Sequence, residues 1–186
     1  AATMSPTFLT RTLAQTGKVE EARNHLQSLL QSDPKDIRSY LAYGSVLSDA
    51  KDYKAMAENY DKAVEVIGAV PQKSDWTVFF QRAIAHERLK EWDKAEPDFK
   101  RALELNPEQP QVLNYLGYSW VDKGINLDEA MKMISRAVEL RPNDGYIVDS
   151  LGWAHFRLGA FDQAVTELER AIELKAGDQT INDHLG

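Results

Sequence analysis

Apolar residues between positions 148 and 172 recur at helical spacing in two successive runs. Each run places its apolar side chains on one face of a helix. Gly159 lies between the two runs, and glycine commonly ends a helix. The pattern therefore predicts a helical hairpin. Its first helix carries Val148, Leu151, Trp153, Ala154, Phe156 and Leu158, and its second carries Phe161, Ala164, Val165, Leu168, Ala171 and Ile172.

This hairpin pattern returns along the chain with a period of 34 or 35 residues. The phrase Leu-Gly-Tyr-Ser-Trp at 116–120 returns as Leu-Gly-Trp-Ala-His at 151–155, and Leu185-Gly186 begins it again. A second phrase, Lys-Arg-Ala-Leu-Glu-Leu-Asn-Pro at 100–107, has counterparts at 135–142 and 169–176. Two unrelated phrases that share one period indicate a repeat architecture.

The period organises residues 1–186 as a single array, which we expect to be a portion of a longer protein. Extra residues at 71–75 and within 123–128 fall in predicted turns, where insertions are tolerated. The predicted fold class is all-α, with helical hairpins stacked into a solenoid. Five complete units are predicted at 3–36, 37–70, 76–109, 110–144 and 145–178, and a partial sixth unit at 179–186.

Capping residues and prolines predict where the helices begin and end. Pro97 lies inside a predicted second helix, where it removes one amide donor and favours a bend. Asn126 with Glu129 predicts a capping box. Helix starts are predicted at Ser5-Pro6, Ser74-Asp75 and Asn143-Asp144, and stops at Pro34, Pro107 and Pro142.

Alanine recurs at two places where the helices of a hairpin must touch. A larger side chain there would force the helices apart, at a typical overpacking cost of about 1–3 kcal/mol. The alanines are therefore interpreted as spacing residues. They are Ala22, Ala95, Ala130 and Ala164 early in the second helix, and Ala63, Ala102, Ala137 and Ala171 one packing step later.

A 34-residue unit with Leu-Gly early, alanine twice in the second helix and proline near the end resembles the tetratricopeptide repeat (TPR), in its bacterial type. The third to fifth units match this pattern best. The first is degenerate, with Thr10 in the glycine place, and the second has Met56 for the first alanine. The resemblance implies a right-handed superhelix whose first helices line a concave groove.

The resemblance also implies which side chains face a ligand, because the family binds partners mainly through set places of each first helix. A chaperone-tail carboxylate clamp is not expected, since only Asn114 is of a suitable kind for it. The alternative is that several of the rings pack between helices instead. The candidate partner-binding residues are Phe80, Ile84, Asn114, Tyr115, Tyr118, Tyr146, Asp149, Trp153, Phe156 and Arg157.

Composition removes several other classes of function. The net charge of -7 opposes binding to nucleic acid or to anionic membrane surfaces, and no apolar run is long enough for membrane insertion. The chain has no cysteine, and His86-Glu87 lacks the second histidine of a zinc-protease helix because Lys90 stands there. We therefore expect no metal, no cofactor and no enzymatic activity.

The leading hypothesis is a protein–protein interaction scaffold that holds a partner peptide or helix in an aromatic-rich groove. The alternative is a self-assembly element that forms homo-oligomers through uncapped ends of the array, because an uncapped repeat exposes an apolar face. The resemblance to bacterial TPR proteins indicates a bacterial origin. It leaves cytoplasm and periplasm equally open.

Overall fold

The computed structural model describes residues 19–175, and the regular structure in that range is helical, without a strand. The all-α prediction is confirmed there. The start at Ser5-Pro6, the first helix of the first unit and the partial sixth unit lie outside the described residues. The helices are α1 (Val19–Ser32), α2 (Ile37–Asp49), α3 (Tyr53–Ile67), α4 (Trp76–Arg88), α5 (Trp92–Leu105), α6 (Pro110–Lys123), α7 (Leu127–Leu140), α8 (Gly145–Arg157) and α9 (Phe161–Leu174), with a 3-10 helix at Lys73–Asp75.

Consecutive helices pair as α2–α3, α4–α5, α6–α7 and α8–α9, as the hairpin pattern predicts. The second helices end just before the predicted stops at Pro34, Pro107 and Pro142. Asp144 caps α8 by accepting from the amides of Tyr146 and Ile147, as expected for a helix start. The chain divides into two compact units, Ala1–Leu105 and Asn106–Gly186, which are described separately.

In the first unit, one apolar cluster runs through three helices. Tyr40 and Leu47 of α2 meet Met56 and Tyr60 of α3, and Val78 of α4 completes the cluster. A smaller cluster joins α1 to α2 through Ala22, Leu26 and Val46. Each hairpin of this unit therefore buries its apolar face partly against the next, as repeat proteins do.

An ion-pair network on Arg82 also joins three helices of the first unit. Its Nε and Nη2 donate to Asp98 of α5 at 2.7 and 2.8 Å, and its Nη1 donates to Asp61 of α3 at 3.0 Å. Arg82 and Asp98 are both largely buried. Pro97, inside α5 as predicted, directly precedes Asp98.

In the second unit, α6 packs against α7, α7 against α8, and α8 against α9. α6 also contacts α8, so the first helices of neighbouring hairpins lie side by side. The most deeply buried side chains include Leu116 and Val121 of α6, Ile134 of α7 and Val148 of α8. Each of α6, α7 and α8 thus contacts at least two other helices of this unit.

The burial of the repeated alanines confirms their predicted places. None of the eight is more than 2% exposed. The repeated glycine works in the same way: a Cβ on Gly152 of α8 would lie 2.7 Å from Cγ of Leu168 on α9. The two helices of the last described hairpin approach closely only because position 152 has no side chain.

The turn inside each of the four hairpins from α2–α3 to α8–α9 contains a residue with a left-handed backbone. Lys51 and Lys90 have φ of 56° and 64°, and the corresponding Gly124 and Gly159 have φ of 70° and 77°. Asn126 is also left-handed, with φ of 47°, and its side chain makes no capping bond. The predicted capping box is therefore wrong, because a capping side chain reaches the helix amides from an extended backbone.

The close approach at position 152 can be tested with Gly152→Ala. The added methyl group would collide with Leu168, and we expect the free energy of unfolding to fall by about 1–3 kcal/mol. Urea denaturation followed by circular dichroism measures the change. Gln163→Ala, at an exposed position of α9, is the control, and equal stability of both variants would contradict the packing argument.

The Arg82 network can be tested with Arg82→Met. The substitution leaves the buried Asp98 carboxylate without its partner, so we expect a loss of about 3 kcal/mol of stability. Arg101→Met removes only an exposed pair with Glu104 and should cost less than about 0.5 kcal/mol. Similar denaturation midpoints for the two variants would show that the network is dispensable.

Candidate partner-binding site

The ten candidate residues are divided between the two units. Phe80 and Ile84 lie on α4 in the first unit, and the other eight lie on α6 and α8 in the second. Because α6 and α8 are in contact, the second set can contribute to one surface. Ile84 is half-buried on α4.

Phe80 is a core residue, which corrects its predicted place on the ligand surface. Its side chain is only 5% exposed. The ring centroid lies 6.1 Å from that of Phe99 on α5 and 5.9 Å from that of Trp76. Since Phe99 is fully buried, Phe80 contributes to the contact between α4 and α5.

Asp149, also predicted to face a ligand, is only 5% exposed and therefore does not form part of the surface. Position 149 directly follows the fully buried Val148, and Leu151 and Gly152 on the next turn are buried as well. The middle of α8 is thus enclosed on most sides by α6, α7 and α9, the three helices that contact it. Asp149 can support the surface from below but does not form it.

On α6, the candidates Asn114, Tyr115 and Tyr118 are half-buried. The Oδ1 atom of Asn114 is shielded from solvent and has no hydrogen-bond partner. An unsatisfied buried acceptor costs roughly 1–3 kcal/mol. Asn114 is therefore a polar group on α6 whose bonding capacity the fold leaves unused.

At the start of α8, Tyr146 is 46% exposed. The Nζ of Lys175 lies 4.1 Å from its ring centroid, a distance at which the cation and the ring attract each other. Trp153 follows two helical turns later on the same side of α8. The side of α8 that carries Tyr146 and Trp153 therefore presents a ring at each end.

Three rings form a continuous chain at the end of the last described hairpin. Trp153 and Phe156 of α8 are stacked with centroids 5.3 Å apart, and Phe156 meets Phe161 of α9 edge-on at 5.7 Å. Phe156 is 45% exposed and Phe161 is 60% exposed. We call Trp153, Phe156 and Phe161 the ring chain. Exposed apolar side chains that adjoin one another are typical of interaction surfaces.

The sequence reasoning missed Phe161, which it assigned to the packed face of a second helix. Leu158 and Val165, also predicted to be apolar contact residues, are exposed as well. Helical periodicity places these residues on an apolar face correctly. It carries no signal that tells a covered apolar face from an exposed one.

Arg157 links the end of α8 to the end of α6. Its Nη1 donates to the backbone carbonyl of Asp122 at 3.1 Å, and its guanidinium carbon lies 5.9 Å from the ring centroid of Trp153. The side chain is 33% exposed. The site therefore combines rings from two helices with one guanidinium held in place beside them.

In the described part of the chain, His86 and Glu91 have a structural role. Nδ1 of His86 lies 2.8 Å from Oε2 of Glu91, and this hydrogen bond, with a second from Lys94, lowers the pKa of the Glu91 carboxyl. Residues 19–175 contain no group of three potential metal ligands. None of the described helices is both long and apolar enough to cross a membrane.

The first unit has a cleft that contains none of the predicted residues. It has a volume of about 520 Å³ and lies between α1 and α3, with α2 beneath it. Tyr40 and Asn59 in its wall already hydrogen-bond within the protein, to the carbonyls of Pro34 and Tyr40 respectively. Nothing in this cleft marks it as a chemical site.

Short helical hairpins spaced by buried alanines and glycines, with side chains of neighbouring first helices forming a surface, define a helical-repeat scaffold. Three family models described as tetratricopeptide repeat match residues 37–68, 76–109 and 126–179, which together exceed half of the chain. The chain belongs to the tetratricopeptide repeat family. TPR proteins generally mediate protein–protein interactions and are typically non-enzymatic.

Curated relatives share this region but are much longer. The chain is 28% identical over 158 residues to the TPR repeat-containing protein PA4667 of Pseudomonas aeruginosa, covering 83% of this chain and 26% of that protein. It is 30% identical over 112 residues to BBSome complex member BBS4 of Bos taurus, covering 60% of this chain and 20% of that protein. The chain thus spans about a quarter or less of these relatives.

Solved structures show the same fold at low sequence identity. YrrB, a TPR protein with an unusual peptide-binding site, has a TM-score of 0.69 and 20% identity, covering 96% of this chain and 89% of that one. MamA has a TM-score of 0.74 and 20% identity, covering 89% and 94%. Cut9 in its complex with Hcn1 has a TM-score of 0.82 and 16% identity, covering 97% and 35%.

Proposed function

We propose that this chain is a scaffold that binds a peptide or helix of a partner protein on the surface formed by α6 and α8. The observation that carries the proposal is the exposed ring chain, which lies beside the fixed guanidinium of Arg157. Large, rigid rings are common anchors of protein interfaces because they bury much apolar area at little entropic cost.

The polar groups of the surface suit a peptide better than a purely apolar ligand. Tyr115 and Tyr118 on α6 are half-buried rings that each carry a polar hydroxyl. A polypeptide offers backbone donors for such groups and side chains for the rings. YrrB, with the same fold, has a peptide-binding site.

In this proposal the surface comprises the exposed and half-buried candidates on α6 and α8. Asp149, which is buried on α8, lies beneath it. The chain acts by binding and carries out no reaction of its own, which agrees with the scaffold role of its family.

The surface can be tested with the double variant Tyr118→Ala, Trp153→Ala. Loss of two central anchors should weaken partner binding at least roughly 30-fold, since interface anchors commonly contribute 2 kcal/mol or more each. Affinity capture from an extract of the source organism, followed by titration of the captured partner, measures the loss. Circular dichroism must first show that the variant is folded.

Tyr53→Ala is the matched control, because it removes a half-buried ring from α3, which is a second helix. It should capture the same partner with unchanged affinity. If the double variant captures the partner as well as the unmodified chain does, the surface on α6 and α8 is not the binding site.

A second candidate function is self-assembly of the chain into homo-oligomers through an array end. It is favoured by the apolar face at the last described hairpin, where Phe156, Phe161 and Val165 are each about half-exposed. Such a face gains stability when it is covered, and a second copy is one way to cover it.

Self-assembly predicts a concentration-dependent oligomer that the variant Phe161→Ser, Val165→Ser disrupts. Sedimentation velocity should show the unmodified chain shifting from monomer to dimer as its concentration rises, while the variant stays monomeric. A monomer at every concentration for both proteins would refute self-assembly and leave the partner-binding proposal untouched.

A further inference from the structure

Arg157 is fixed along one edge of its guanidinium and open along the other. Nη1 is held by the carbonyl of Asp122, and the plane is steadied by the ring of Trp153. Within the described residues, Nε and Nη2 donate to no acceptor. These two parallel N–H groups form the edge that matches the two oxygens of a carboxylate.

Two other arginines of the chain bind a carboxylate through the same edge. In Arg82 the Nε and Nη2 atoms both donate to the carboxylate of Asp98. In Arg136 they both donate to Glu108, from Nε at 2.9 Å. Arg157 has the same edge, held in place beside exposed rings, but no carboxylate among residues 19–175 occupies it.

The carboxylate of Asp122 does not occupy the open edge of Arg157. Oδ1 of Asp122 lies 3.8 Å from Nη1, on the edge that the Asp122 carbonyl already holds, and the Asp122 side chain is 60% exposed. Asp122 therefore reduces the local positive charge without using the open donors. Beside the guanidinium lie the stacked rings of Trp153 and Phe156, which can accept an apolar side chain.

We propose that Arg157 receives the carboxylate of an Asp or Glu side chain in the bound partner, next to an apolar side chain that packs on Trp153 and Phe156. This inference rests on the proposed function and names the chemistry of its ligand. The carboxylate belongs to a side chain rather than to a peptide terminus, because Arg157 stands at the end of α8, which carries no lysine and no second arginine to complete a terminal clamp.

The probe is a library of short amidated peptides with one fixed Leu or Phe anchor and random flanking residues, selected on the unmodified chain. Selected peptides should carry Asp or Glu close to the anchor. Replacing that residue with Asn or Gln should weaken binding about fivefold, in the range measured for partly exposed ion pairs. High salt should reduce the difference, because salt screens exposed charges.

Arg157→Gln should bind the acidic and amide peptides equally, and Arg157→Lys should regain little of the preference because lysine lacks the paired donors. Arg101→Gln makes the same change of charge on α5 and should keep the full preference. An acid preference that is absent, or that persists in Arg157→Gln, would overturn the inference. So would free-acid peptides that bind more tightly whatever residue flanks the anchor.

The failures of the two proposals are distinguishable. Peptides that lose binding to the Tyr118→Ala, Trp153→Ala variant but show no acid preference would leave the proposed function standing and reject the role of Arg157. Peptides that bind that variant as well as the unmodified chain would reject both.

Discussion

The close approach of the two helices in each hairpin is the constraint on which the rest of the structure depends. The eight repeated alanines of the second helices, from Ala22 to Ala171, are almost completely buried, and a methyl group at Gly152 would reach Leu168. Because these positions hold so little volume, larger side chains such as Tyr60, Phe99 and Ile134 can fill the space around them. Spacing set by small residues leaves the outward side chains free to differ between repeats.

The sequence could predict most of the fold because the features that define it are local and repeated. Periodicity predicts the helices, alanine marks the contact face and proline marks the helix ends. Each of these signals occurs several times along the sequence. The capping box at Asn126 failed for a local reason as well. Asn126 has a left-handed backbone, and a residue type alone does not reveal that conformation.

The site could be predicted less well because exposure depends on neighbouring helices. Phe80 and Phe156 were both predicted to face a ligand, yet Phe80 packs against Phe99 while Phe156 stacks on Trp153 and remains half-exposed. The difference lies in the side chains that each ring meets, which the repeat pattern does not specify. The side chain of Arg157 is also held by the backbone carbonyl of Asp122, and no side-chain motif predicts that contact.

The turns inside the hairpins show that this chain is not at its maximum stability. Two of them place a lysine, Lys51 or Lys90, in a left-handed conformation that the equivalent Gly124 and Gly159 adopt freely. For a residue with a side chain this conformation costs about 1–2 kcal/mol. Both lysines lie in the first unit and both glycines in the second. Replacing these two lysines with glycine would therefore stabilise the first unit. Both positions are distant in sequence from the candidate residues on α6 and α8.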